Sequence, residues 1–273
     1  MQIDKINIEL TYYYEYKESR PVILFLHGFT GSSEDWRETA EILKALDYNL
    51  LGIDLPGHGK SSTPDKTEYY RLPFLIKIIK EIIKNTGRQK IVLAGYSMGG
   101  RLALAYAAQY PNDISQLILE STSPGIAEPE GQMDRVKSDN KIIEIIKEKN
   151  IDEFIDYWMS IPLFESQRKY RAKFNLLRQT KLKNISPNGL INSLKGFGTG
   201  VMPQQYNNLK NILCPVLLIT GSLDSKFTGI NKNIASLLPD AQHIIIEGAG
   251  HNIHFEKPDE FCKPFMEFIS RIS

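Results

Sequence analysis

The sequence predicts an α/β fold: a mostly parallel sheet covered by helices on both faces, interrupted by a helical insertion. Three observations predict it. Up to about Ser121, short apolar strands alternate with helical patterns. From Ser123 to about Asn208 strands vanish and charged amphipathic helices replace them; after that the strand alternation resumes and a terminal helix closes the chain. Runs that are apolar at every position, such as Val22-Ile23-Leu24-Phe25-Leu26, suit strands buried on both faces, the usual condition of a parallel sheet.

In order along the chain, Ile6 to Tyr16 alternates as opening antiparallel strands do, and the buried strand at 22–26 follows. Asp35-Trp36 begins the next helix, with Trp36 placed in the core by the burial habits of tryptophan. Asn49 to Asp54 is the next strand, and Asp54-Leu55-Pro56-Gly57-His58-Gly59 is a loop in which His58 reads as structural. A helix covers Leu75 to Lys84, a strand Ile91 to Ala94, a helix Gly100 to Ala108, and a strand Ile114 to Glu120. In the insertion, Ile142, Ile145 and Ile146, then Ile151, Phe154, Ile155 and Trp158, recur at spacings of three and four, which gives each helix one apolar stripe. Strands at Val216 to Ile219 and Ala241 to Ile246 and a helix from Asp259 to Ile272 complete the chain. The predicted organisation is a core of residues 1–122 and 209–273 with residues 123–208 laid over it as a cap.

The pentapeptide Gly95-Tyr96-Ser97-Met98-Gly99 sits where a strand meets a helix. A serine can stand at the tip of so tight a turn only if the residues two away are very small, because strand and helix backbones nearly touch. This is the pattern of a nucleophile elbow; the bland alternative is a serine that merely caps the helix. Asp224, after one strand, and His251, after the next, end on loops at the same sheet edge as Ser97. The order Ser97, Asp224, His251 is that of the α/β-hydrolase fold, and differs from the trypsin-like and subtilisin-like orders. In such a triad His251 accepts the serine proton while Asp224 holds its tautomer. The loop His27-Gly28-Phe29-Thr30-Gly31 then places the Phe29 N–H beside the Met98 N–H as an oxyanion hole, with His27 bracing the loop. His251 and His254 stand three apart with Glu256 following, a spacing that permits a metal, but the triad claims His251 and no metal is assigned.

Composition agrees. At 273 residues, 42% hydrophobic and a net charge of +1, the chain can bury a large core in one domain carrying an insertion, and it lacks the charge of a nucleic-acid or membrane-surface protein. Cys214 and Cys262 lie beside apolar segments and read as reduced packing residues. The N-terminal stretch has no uninterrupted apolar run, which points to a cytoplasmic protein. Sequence leaves monomer and weak homo-oligomer open.

Beyond the triad, Gly95 to Arg101, Glu120-Ser121-Thr122-Ser123-Pro124-Gly125, Ile161-Pro162-Leu163-Phe164, Asn192 to Gly200 and Gly221 to Phe227 resemble the 2-succinyl-6-hydroxy-2,4-cyclohexadiene-1-carboxylate synthases of menaquinone biosynthesis. The resemblance spans about residues 20–260. It is most specific at the arginine after the elbow glycines and at Gly196-Phe197-Gly198-Thr199-Gly200. It implies a lyase that expels pyruvate from a small polycarboxylate, with Ser97 acting as a base and neither metal nor organic cofactor required. It also implies that Arg101, Arg135 and Arg178 hold substrate carboxylates and that Tyr96 and Trp158 line the pocket. Paired guanidinium N–H groups suit carboxylates. Taken on their own, Arg101 could snorkel to solvent, Arg135 has Lys137 and Lys141 as neighbours, and Arg178 lies in a basic run that also reads as a solvated face. Trp158 fits the cap stripe as well as a pocket, and the segment Gln179 to Ile185 is slightly longer than the family spacing. Two other readings stay open at this stage: a serine hydrolase of an ester or carbon–carbon bond, and a ligand-binding protein that reuses the scaffold.

Overall fold

In the computed structural model, which describes residues 1–272, β1 (Gln2–Ile3) and β2 (Ile6–Asn7) form a small antiparallel pair ahead of a seven-stranded sheet. The strands of that sheet are β3 (Leu10–Tyr12), β4 (Val22–Leu26), β5 (Asn49–Ile53), β6 (Ile91–Tyr96), β7 (Ile114–Glu120), β8 (Val216–Gly221) and β9 (Ala241–Ile246). Their spatial order is β3-β5-β4-β6-β7-β8-β9; β3 pairs antiparallel with β5, and the other neighbours are parallel. The chain moves outward from β4 to β5 and then returns to the far side of β4 as β6. Order therefore reverses between β4 and β6, and the loops leaving their C-terminal ends part there to open a crevice.

Helices cover both faces. Val22, Leu24 and Leu26 share a core with α2 (Leu72–Asn85) and α3 (Met98–Gln109), while Ile23 and Phe25 share another with Trp36, α1 (Arg37–Leu43) and α10 (Pro258–Ile269). This two-sided burial is why β4 is apolar at successive positions instead of alternating. Phe25 and Trp36 are fully buried with ring centroids 5.0 Å apart. Cys214 and Cys262 are free and buried.

The opening differs from the expected strands. Only Leu10–Tyr12 joins the main sheet, because the following tyrosines serve as packing and anchoring groups: Tyr13 and Tyr14 pack on one core, Tyr16 on the other, and Tyr13 Oη donates to the Ser33 carbonyl. The last helix also ends sooner than expected, at Ile269, with a 3₁₀ turn after it.

Between β7 and β8 lie α4 (Pro129–Glu148), α5 (Ile151–Ser160), a 3₁₀ segment (Pro162–Lys169), α6 (Arg171–Asn184) and α7 (Pro187–Phe197). Ile143, Ile146, Phe154, Ile155, Met159, Leu190 and Leu194 form their own apolar core. The last two helices of the insertion are held unequally. In α7, Gly189 packs so closely on Gly57 that a Cβ there would fall 2.2 Å from the Gly57 carbonyl oxygen. By contrast, α6 has no fully buried residue, and its half-buried Phe174, Leu177 and Leu182 lean on the insertion's core. The remaining helices, α8 (Ser225–Leu237) and α9 (Ile253–Glu256), follow β8 and β9. Among the described residues no helix is long and apolar enough to cross a membrane.

Candidate active site

Ser97 occupies the turn from β6 into α3 at φ 49° and ψ −104°, a backbone conformation that L-residues avoid and that persists only where the surroundings impose it. The glycines impose it here. A Cβ on Gly95 would lie 2.6 Å from the Gly99 carbonyl oxygen, and one on Gly99 would lie 2.3 Å from the Leu26 carbonyl oxygen. Two bonds fix the turn: Ser97 N–H donates to the carbonyl of Glu120, the last residue of β7, at 2.9 Å, and Thr122 Oγ1, in the loop after that strand, donates to the Ser97 carbonyl at 2.9 Å.

The structure brings Asp224 and His251 to this serine. Asp224 follows β8 and caps α8, accepting the Phe227 N–H, and His251 follows β9. His251 Nδ1 lies 2.6 Å from Asp224 Oδ2, and its Nε2 lies 3.1 Å from Ser97 Oγ. An ionised Asp224 accepts only, so Nδ1 carries the hydrogen and the Nε2 lone pair faces the hydroxyl. Both residues are buried, and Phe227, Tyr96 and Phe164 ring the imidazole with centroids at 4.5, 5.5 and 6.1 Å.

Phe29 lies on the loop after β4, and Met98 is the first residue of α3. The first amides of a helix have no intrahelical acceptor, so the Met98 N–H is available to a ligand. His27 holds the neighbouring loop: its Nδ1 lies 2.8 Å from the Gly28 carbonyl, and its Nε2 accepts the Leu55 N–H at 3.1 Å. Burial lowers the pKa of His27 and keeps the ring neutral, as this bonding requires. Gly28 leaves room for Tyr96, since a Cβ there would meet the Tyr96 ring at 2.6 Å.

Above the serine is a cavity of about 310 Å³ bordered by Phe29, Tyr96, Ser97, Met98, Arg101, Arg135, Trp158 and His251. Arg101 is its most unusual wall. One guanidinium nitrogen, Nη2, donates to the Phe197 carbonyl at 3.0 Å, the group lies 5.3 Å over the Phe197 ring, and buried Nε has no partner. Burial first, then Arg135, pushes its pKa down to about 9, and Asp139 partly opposes this. At neutral pH it remains a cation short of acceptors. Arg135 is better satisfied, with Nε donating to the buried Asp139 at 2.8 Å. Trp158 serves cap core and pocket together: it packs near Phe154, and its ring stands edge-on to Phe29 at 5.1 Å on the cavity wall.

Arg178 does not reach the cavity. It turns to α5, where Nε donates to Asp156 at 2.5 Å and Nη2 to Asp152 at 3.2 Å. Two acidic partners one helical turn apart hold it there. Three residues on, Lys181 faces the core instead, and its Nζ donates to the Thr30 carbonyl at 2.9 Å. Lys181 borders a small void of about 20 Å³ that shares Phe29, Tyr96 and Trp158 with the main cavity, and burial lowers its pKa. Sequence reasoning missed Lys181 because it stands in a basic run where any of several residues could point inward. It also assigned no role to Glu120, although a carboxylate ending an apolar strand is a usable signal. Beyond His251, a cleft of about 370 Å³ opens between Pro162–Ser166 and Leu223–Lys226 and shares Leu163, Lys226 and His251 with the cavity.

Comparison with known proteins extends these observations. Residues 21–258 match the family described as alpha/beta hydrolase fold. A Bacillus subtilis protein provisionally named 2-succinyl-6-hydroxy-2,4-cyclohexadiene-1-carboxylate synthase is 38% identical over 92% of this chain and 90% of its own length. An Escherichia coli protein of the same name is 29% identical over 89% and 91%. The structure of MenH from S. aureus superposes with a TM-score of 0.90 at 33% identity, covering 97% of this chain and 98% of that one.

Proposed function

We propose that this chain, which belongs to the α/β-hydrolase family and within it to the 2-succinyl-6-hydroxy-2,4-cyclohexadiene-1-carboxylate synthases, uses Ser97 as a base to expel pyruvate from 2-succinyl-5-enolpyruvyl-6-hydroxy-3-cyclohexene-1-carboxylate. The observation that carries this reading is Arg101: a half-buried guanidinium with one acceptor and a buried, orphaned Nε, bordering the same cavity as Ser97 with Arg135 beside it. A simple ester needs no such group. A substrate with several carboxylates supplies the acceptors that Arg101 lacks, and Arg135 can add a second cation.

In this mechanism His251 takes the Ser97 proton as the serine oxygen removes hydrogen from the ring carbon that bears the succinyl group. The electrons of that C–H bond form the ring C2=C3 double bond by way of the enolate. The old C3=C4 bond becomes C4=C5, and the C5–O bond breaks. Negative charge on the succinyl carbonyl oxygen is met by the Phe29 and Met98 N–H groups, and Asp224 stabilises the imidazolium. The leaving enolpyruvate takes a proton and becomes pyruvate. Serine needs no acyl intermediate on this path. Core and cap divide the work, with residues 123–208 acting as the cap domain, in a cytoplasmic enzyme whose partner is its small polycarboxylate substrate.

The test supplies the succinylated substrate and follows pyruvate. Release that disappears in Ser97→Ala supports the lyase, whereas no pyruvate alongside brisk turnover of simple esters rejects it.

A further inference from the structure

We propose that Glu120 is a positioning residue that sets the Ser97–His251 geometry by holding both sides of it at once; the proposal rests on the triad reading above. Glu120 ends β7 with its side chain fully buried. Its carbonyl accepts the Ser97 N–H at 2.9 Å. Its carboxylate reaches the other way: Oε1 accepts the Ile253 N–H at 2.5 Å and the His254 N–H at 3.0 Å, and Oε2 lies 2.6 Å from His254 Nδ1. His254 is itself wedged, stacked on Trp36 with ring centroids 4.1 Å apart and planes 17° from parallel.

A carboxylate removed from water is costly unless donors surround it, so its native position is the one where all three donors converge. Those donors begin two residues beyond His251. On the near side, Glu256 Oε2 accepts the Gly250 N–H at 2.9 Å. Backbone on both sides of His251 is thus tied to buried carboxylates, and Glu120 also carries the serine on its own peptide group. The 3.1 Å between His251 Nε2 and Ser97 Oγ is therefore spanned by a short path through one residue. Glu120 touches no reacting atom: it is fully buried on the strand next to Tyr96 and does not border the cavity. Its effect should fall on the rate of proton transfer and leave substrate binding alone.

The experiment compares Glu120→Leu and Glu120→Gln with wild type in the full chain, by pyruvate release and by the rate at which a fluorophosphonate labels Ser97, read as intact mass. Loss of the anchor should lower kcat and labelling together by ~100-fold in Glu120→Leu, with KM changed less than ~3-fold, because a shift of about 1 Å suffices for such a loss. Glu120→Gln keeps an oxygen for the two amides but loses the His254 bond, and should be down ~5–10-fold in both, a partial rescue. Wild-type labelling in folded Glu120→Leu overturns the proposal, as does a rise in KM with kcat unchanged. Should the leucine variant fail to fold, Glu120→Gln decides, and wild-type labelling in it also overturns the proposal. Labelling needs no natural substrate, so wild type that labels but releases no pyruvate refutes the lyase reading while the Glu120 series still reports.

Discussion

The core and the cap place their functional groups by different physics. In the core, Ser97, Asp224 and His251 follow three parallel strands whose ladders fix their register, so side chains from distant parts of the chain meet within 3.1 Å. In the cap, cations sit on helices, where each residue turns the side chain about 100° and a neighbouring acid can capture it. Arg135 is held by Asp139 and still borders the cavity, whereas Arg178 is held by Asp152 and Asp156 and faces away. Backbone register decides where the Ser97, Asp224 and His251 side chains meet; side-chain pairing decides which cations face the cavity.

That contrast is broken most forcefully by variants in the core. His251→Ala should lower kcat for pyruvate release by ~10³-fold or more while product affinity, read by calorimetry, changes little. Next in size is the cap-facing cation of the core: Arg101→Ala should cost about 2–5 kcal/mol in kcat/KM if a substrate carboxylate is left buried and unpaired. Unchanged specificity constants would show that Arg101 does not meet substrate.

Much of the core was legible before the structure, and the reasons are local. Gly95 and Gly99 are demanded by steric contact with backbone that no other residue relieves, and Val22 to Leu26 is apolar throughout because two faces bury it. The order Ser97, Asp224, His251 survives any loop length between them. Little of the cap's inward face could be read. Arg178 and Lys181 are neighbours on one helix surface, and only the positions of Asp152, Asp156 and Thr30 in space decide which turns inward. The opening tyrosines misled for a similar reason: period-two alternation over Ile6 to Tyr16 marks a strand, but the pairing with β5 ends at Tyr13, whose N–H still donates to the Leu50 carbonyl, and Tyr14 and Tyr16 turn to packing the two cores.

The cap half of the comparison is sharpened by a pair. Lys181→Ala should lose about 1.5–3 kcal/mol in kcat/KM through release of the Thr30 loop, the range for hydrogen bonds made by charged groups. Arg178→Ala should stay within ~0.5 kcal/mol of wild type, as expected for a partly exposed ion pair. Equal losses in the two would mean that Arg178 turns inward during turnover.

A smaller effect probes the seam itself. His58 pairs with Ile185 of the insertion, and burial, followed by His27, holds its pKa down from 6.5 to about 3. The folded ring stays neutral while the unfolded one takes up a proton below pH 6.5, so the unfolded state binds more protons and stability falls as pH drops from 6.5 toward 3. From this group alone the loss between pH 7.5 and pH 5 is about 2 kcal/mol. Urea midpoints for wild type and His58→Phe at the two pH values measure it, and the variant should show the shallower acid decline.

The account depends most on Ser97 acting as a base, and one measurement addresses that directly. Pyruvate release is followed from substrate deuterated at the ring carbon bearing the succinyl group, with the mass of the protein recorded during turnover. A primary isotope effect on kcat/KM and an unmodified Ser97 are the predicted results. Equal rates for the two isotopes, together with a transient mass gain on Ser97, would contradict it and make the serine a nucleophile.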